Sequence, residues 1–191
     1  MKRLGLDIST ACTGWAVADV NPAGLVTRVE LGHIELSKIQ GLIPKALHAE
    51  KVIRALQEKH GFDEVYVEEN MQAFHPGASS AQTIVKLAKF NGIVTFICHQ
   101  IIGKMATNVN VNRARKSLGI SLQREKACGI STKEQVFRWV SAHPVLSDYS
   151  WPYKVLGSGP RKGERILEQH SYDMADAFVV VMAGPIVSAE E

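Results

Sequence analysis

Leu4, Leu6 and Ile8 alternate with Gly5 and Asp7, so LGLDI reads as a strand over 3–8 with one apolar face. Apolar residues resume in GWAVADV, a second strand over 14–20, and VTRVELGHIEL supplies a third over 26–36. Their short connections predict an antiparallel meander. From Ile43 the period lengthens. Ile43, Leu47, Val52 and Leu56 fall near one helical stripe, and Gly61 is a natural stop. DEVYVEEN (63–70) returns to alternation, with Val65 and Val67 on one face and Tyr66 and Glu68 on the other. Following a helix, this strand is expected to lie parallel to the first through a right-handed crossover.

Residues 71–80 have loop composition. A long helix is predicted over 78–100, apolar at Ile84, Leu87, Val94 and Ile97, with Gly92 placed for close packing. A short strand at 106–111 and a short helix or turn at 112–119 follow. Ser131 and Glu134 form a capping box that opens a helix over 132–142. Prolines and glycines crowd 143–170, which reads as a loop-rich insertion, and Ser171 is expected to cap a final helix, YDMADAFVVVMAG. The order βββαβαβαα, without repeat or linker, predicts one α/β domain over 1–191.

Composition narrows this picture. The chain has 191 residues, 46% hydrophobic and 21% charged, enough for an ordinary core and unlike a disordered segment. Cys12, Cys98 and Cys128 are too sparse for a disulfide framework or zinc knuckle and suit a reducing compartment. No apolar run is long enough to span a membrane, and the N-terminus lacks a signal-peptide core. The expectation is a cytoplasmic protein with no membrane partner.

Four acids stand out as a set. Asp7 lies within a strand, where carboxylates are depleted. Glu68 ends a strand on the face opposite the valines, whereas Glu69 shares the valine face but can reach solvent. Asp173 and Asp176, three apart, share one face of the last helix. Singly each has an ordinary reading: a turn cap, a solvated strand end, an acid favoured by the helix dipole. Together they offer the converging carboxylate oxygens that hard divalent cations require. Two such ions can activate water and stabilise a leaving oxygen in phosphodiester cleavage.

LGLDISTACTGWAV, VYVEEN and SYDMADAFVVVMAG, in that order over nearly the whole chain, resemble the three acidic motifs of the RuvC-like Holliday junction resolvases. The resemblance implies an RNase H-like fold with a mixed five-stranded sheet flanked by helices. It also implies a homodimer that nicks two symmetry-related strands of a four-way DNA junction using two Mg²⁺ or Mn²⁺ ions. It places metal ligands at Asp7, Glu68, Asp173 and Asp176. RARKSLGI and STKEQV resemble the family's basic stretch, matching its two lysines at Lys116 and Lys133, the latter with a catalytic role; SLQREKACG interrupts the match. Met71 stands at the family's aromatic wedge position, leaving Phe74 as the nearest candidate. These departures resemble a diverged member of the phage or viral type, acting near the nucleoid or in a host cytoplasm, with any branch-migration partner unspecified.

Charge distribution bears on the same question. Residues 113–138 hold Arg113, Arg115, Lys116, Arg124, Lys126, Lys133 and Arg138 against Glu125 and Glu134, although the whole chain is only +3. Lys154, Arg161, Lys162 and Arg165 form a second cluster. A charge run is commonly a solvated face, but beside a carboxylate site it suits phosphate contacts. His170 reads as a surface residue or as a proton carrier at the site's edge, and Cys12 as structural. Three other classes compete: an RNase H-like nuclease cutting RNA–DNA hybrids or flaps, an actin-like or sugar-kinase-like ATP-binding domain, and a catalytically dead DNA-binding module.

Overall fold

Strands β1 (Lys2–Asp7), β2 (Cys12–Val20) and β3 (Val26–Glu35) form the antiparallel meander that their alternation predicts. Helix α1 (Leu42–His60) crosses one face and stops at Gly61, whose φ of 66° is the left-handed conformation glycine accepts freely. β4 (Glu64–Glu68) then returns parallel to β1. After α2 (Ala81–Ile102), the short β5 (Thr107–Val109) adds to β4, also parallel. The sheet is therefore mixed and five-stranded, in the order β3-β2-β1-β4-β5. The chain continues through α3 (Val111–Ser117), α4 (Glu125–Cys128), α5 (Thr132–Ser141), a 3₁₀ turn, the hairpin β6 (Tyr153–Val155)–β7 (Arg165–Leu167), and α6 (His170–Ser188). This is a computed structural model, and it describes residues 1–69 and 81–188.

Two cores sandwich the sheet. Leu4, Leu6, Val65 and Val67 pack under α1 and α2, while Ala16, Ala18 and Tyr66 face α6 and its neighbours α3 and α5. The parity read for β4 is thus the observed one: valines toward one helical layer, Tyr66 toward the other. No helix among the described residues is long and apolar enough to cross a membrane.

Several expectations need correction. The buried stripe of α1 is Ala46, Ala49, Ile53 and Leu56, whereas Ile43 and Leu47 are exposed. Small alanines let the helix approach the sheet closely, and they carry little weight in a hydrophobic pattern. On α2 the buried residues are Phe90, Asn91, Val94, Ile97 and Cys98, with Ile84 and Leu87 only half-buried, and a Cβ on Gly92 would meet open space rather than a packed neighbour. α6 begins at His170, so Ser171 lies inside its first turn, buried, with its hydroxyl unpartnered among the described residues instead of capping. The capping box at α5 is half made. Ser131 accepts from the Glu134 backbone N–H, but the Glu134 side chain turns to Arg138 and Tyr172. The 143–170 segment holds a hairpin whose three-residue strands are too short to show a period.

Helix α6 is the most buried element, running across β1, β2 and β4. Glycines set its distance from the sheet. A Cβ built on Gly5 would fall 2.6 Å from the Ala177 carbonyl oxygen, and one on Gly14 would fall 2.0 Å from that of Asp173. Both obstacles are helix backbone, which cannot swing aside. Gly14→Ala is expected to destabilise the protein by about 3 kcal/mol through forced separation of helix and sheet. Urea unfolding checks this; a near-neutral result would show that the seam yields.

Candidate active site

Asp7 is the last residue of β1, not a mid-strand residue, and pairs across to Gly14 of β2. The turn that follows is tied together by its own hydroxyls. Ser9 Oγ donates to the Cys12 carbonyl at 2.6 Å and accepts from the Cys12 N–H at 3.1 Å. Thr13 Oγ1 donates to the Ser9 carbonyl at 3.3 Å, and buried Lys45 donates to the Thr10 carbonyl. The small hydroxyl residues of this motif therefore lock a turn that fixes where Asp7 points.

Glu68 ends β4, the strand beside β1, on the α6 side as its parity predicts. Asn91 of α2 donates its side-chain amide to the Glu68 carbonyl at 3.2 Å and holds the strand end in place. Glu69 is bound elsewhere: Asn110 Nδ2 donates to its carboxylate at 3.1 Å. Asn110 also caps α3, accepting from the N–H groups of Asn112 and Arg113.

Two helices deliver cations onto the acids of α6. Arg115 Nη2 on α3 lies 3.0 Å from Asp176 Oδ1, and Lys133 Nζ on α5 lies 3.4 Å from Asp173 Oδ1. Asp7, Ser9, Glu68, Glu69, Lys133 and Asp173 line a cavity of about 240 Å³, with Ile8 and Leu87 as its apolar wall. Asp176 is 6% exposed and closed off by Arg115.

The electrostatics follow from this crowding. Burial, then Glu68, Asp176 and Asp173, push the Asp7 carboxyl well above the usual carboxylate range. Burial and Asp176 push Glu68 up to about 7, against the pull of Arg115 and a hydrogen bond with Asp7. Asp176 is also raised by burial, with Arg115 opposing. Lys133 is raised, the attraction of Asp173, Asp176 and Asp7 outweighing its desolvation. Four carboxylates thus face two cations, so the fully ionised cluster is short of positive charge. That deficit and the all-oxygen donor set fit hard divalent cations. Among the described residues no three acidic, histidine or cysteine side chains already converge on one metal position; ion pairs occupy two of the four acids instead.

Burial, then Asp173, push the Cys12 thiol up, away from a nucleophilic thiolate. His170 stacks on His33 of β3, ring centroids 3.7 Å apart, and its Nδ1 lies 3.8 Å from Glu168. Burial, then His170, push the His33 pKa down. His170 is therefore a packed residue at the start of α6.

The structure brings Asp7, Glu68, Asp173, Asp176 and Lys133 together. It separates the other basic candidates: Arg113, Lys116, Arg124 and Lys126 are exposed, and Lys116 borders an open basin of about 320 Å³ beside α3. Arg115, expected with them as a DNA contact, is instead turned inward onto Asp176. Only the rotational phase of α3, fixed by its Asn110 cap and buried Ala114, chooses Arg115 over Lys116. Phe74 lies outside the described residues.

The whole chain aligns with RuvC from T. thermophilus in complex with Holliday junction substrate, covering 96% of that chain at a TM-score of 0.65 and 16% identity. A second T. thermophilus RuvC structure gives 0.62 over the same shares, at the same identity. The yeast mitochondrial Holliday junction resolvase Ydc2 matches 95% of this chain and 76% of its own at 0.56 and 14% identity. The fold is that of the RuvC-type resolvases. No protein-family model and no curated protein matches the sequence. Within this RuvC-like fold the acids come from three elements: the ends of two adjacent parallel strands and the first two turns of α6.

Proposed function

We propose that the chain is a divalent-metal-dependent, structure-selective endonuclease that resolves four-way DNA junctions by paired nicks. One observation carries the reading: four carboxylates gather with two cations beside a cavity in a fold shared with resolvases, one of them solved with a Holliday junction. Asp7, Glu68, Asp173 and Asp176 would hold two Mg²⁺ or Mn²⁺ ions, which when bound activate water and stabilise the leaving oxygen. Lys133 holds positive charge at the cavity wall, where it orients Asp173 and can stabilise charge developing on a scissile phosphate. Arg113, Lys116, Arg124 and Lys126 would contact backbone phosphates, which position a branched substrate without reading its sequence.

A labelled four-way junction compared with duplex, flap and RNA–DNA hybrid of matched length, with and without Mg²⁺, tests the reading. Symmetric nicks in the junction alone are expected. Preferential cutting of the hybrid or flap would replace junction resolution with the other nuclease reading.

A junction presents two equivalent strands, and a twofold dimer would place one site at each. Val85, Ala88, Gly92 and Phe96 lie along one exposed face of α2, with Val85 and Phe96 more than half exposed. We assign this face to a second copy of the chain, which the open space over Gly92 admits at close range. Light scattering is expected to show a dimer that Phe96→Glu dissociates; a wild-type monomer with and without junction DNA would overturn the assignment.

A further inference from the structure

We propose that the β6–β7 hairpin is a DNA-gripping arm that lays its basic ribbon along one duplex arm next to the cut. This rests on the junction reading above. The hairpin forms a separate two-stranded sheet, with Tyr153, Lys154 and Val155 all exposed and its tip exposed throughout. An isolated two-stranded ribbon is marginal in water, so what holds this one is informative. Its ladder extends beyond the strands, through Leu156 N–H to the Glu164 carbonyl and Gly163 N–H to the Leu156 carbonyl. Arg165 lies 4.5 Å above the Tyr153 ring, and Arg161 pairs with Glu164 at the tip.

The base is bolted to the catalytic helices. Trp151 packs edge-on against Phe137 of α5 at 4.8 Å, and Phe137 against Tyr172 of α6 at 5.7 Å. Tyr172 donates to Glu134 of α5 at 2.9 Å, one residue from Lys133. β7 leads within three residues into α6, the helix that carries Asp173 and Asp176. The base is therefore anchored on the helices that carry the site, and the tip reaches roughly 15 Å beyond that base at strand rise.

Its chemistry fits a polyanion. Lys154, Lys162 and Arg165 have no ion-pair partner among the described residues, and Glu164 is held by Arg161. The exposed apolar area, mainly Val155 and part of Tyr153, is too small for a protein interface core. A two-stranded ribbon also matches the width of a DNA major groove.

The test measures binding of the full-length protein to a four-way junction and to a plain duplex across a salt series. It compares wild type with Lys154→Gln/Lys162→Gln/Arg165→Gln. The slope of log affinity against log salt is expected to flatten by about one for each phosphate that no longer meets a cation, up to about three. Light scattering should show the mass of the variant unchanged. If Arg165→Gln unfolds the ribbon, Lys154→Gln/Lys162→Gln keeps the Tyr153 stack and should flatten the slope by up to about two. A wild-type protein that binds and cuts junctions alongside a variant with an unchanged slope would overturn the arm alone. A changed mass by light scattering with an unchanged slope would assign the hairpin to a second copy, also overturning it. A wild type that binds neither DNA would remove both the arm and the junction reading.

Discussion

Asp7→Asn is expected to stop junction cleavage, by about a thousandfold or more, while making the metal-free protein more stable. Asp7 is the acid that its neighbours crowd most heavily, raised by burial and by each of Glu68, Asp176 and Asp173. An amide keeps its shape and removes a charge that the fold tolerates poorly. At pH 8 the variant is expected to be the more stable protein. The pH dependence gives the sign. Asp7, Glu68 (raised to about 7) and Asp176 hold protons in the folded chain that the unfolded chain has already released. Their favourable contribution is complete below the ordinary carboxylate range and is lost as pH rises through their raised folded values, which for Glu68 is about 7. Glu30, lowered by Lys59, pulls the other way, so the informative quantity is the difference between variant and wild type. That difference should widen from pH 5 to pH 8 in chelator and shrink when Mn²⁺ is added. Urea titrations at each pH measure it, and single-turnover assays measure the loss of cutting. Equal stability at every pH, or retained cleavage, would take Asp7 out of the charge cluster.

The second large effect belongs to Arg115→Met. Arg115 is 14% exposed and Asp176 8% exposed at the side chain, so the pair is largely shielded from water. Removing the guanidinium strands a carboxylate that burial already disfavours, at an expected cost of about 3 kcal/mol in the metal-free protein. For a chain of this size that lowers Tm by about 8 °C. Arg115→Met/Asp176→Asn should recover most of the loss, because it leaves no unpaired charge. Divalent cations should raise the Tm of Arg115→Met more than that of wild type, since an ion would restore the positive charge the arginine supplied. Differential scanning calorimetry in chelator and in Mn²⁺ checks both statements. A neutral Arg115→Met would mean that the pair contributes nothing to the fold.

Much of the sheet was legible because alternation is local: β1 and β4 set Leu4, Leu6, Val65 and Val67 on one face, and the placement of Glu68 follows from Val65 and Val67 by parity alone. The same logic failed where burial is carried by small residues. Ala46 and Ala49, not Ile43 and Leu47, seat α1. It failed again where elements are too short to repeat, so the hairpin read as loop. The acids of the site were readable as a set: Asp7 and Glu68 end strands and Asp173 sits in a first helical turn, each ordinary alone, and only their joint occurrence marks them. The cations were not equally so. Lys133 follows a recognisable cap at Ser131, but choosing Arg115 over Lys116 requires knowing the phase of a seven-residue helix. In a basic run, neighbouring positions look interchangeable until the helix is docked.

If the four acids hold metal as proposed, the seam beneath α6 bears on selectivity among ions. Asp173 and Asp176 ride on the helix, while Asp7 and Glu68 are fixed to the sheet, so the aperture between the two pairs is set by how near the helix can lie. At Gly5 and Gly14 that nearness is defined by missing atoms. Magnesium and calcium differ in oxygen distance by only about 0.3–0.5 Å, less than the displacement one added methyl group would impose. On the proposed reading, the discrimination between a small and a large cation resides in two residues that carry no ligand and no charge. An experimenter wishing to retune it would leave the four acids alone and shim the helix.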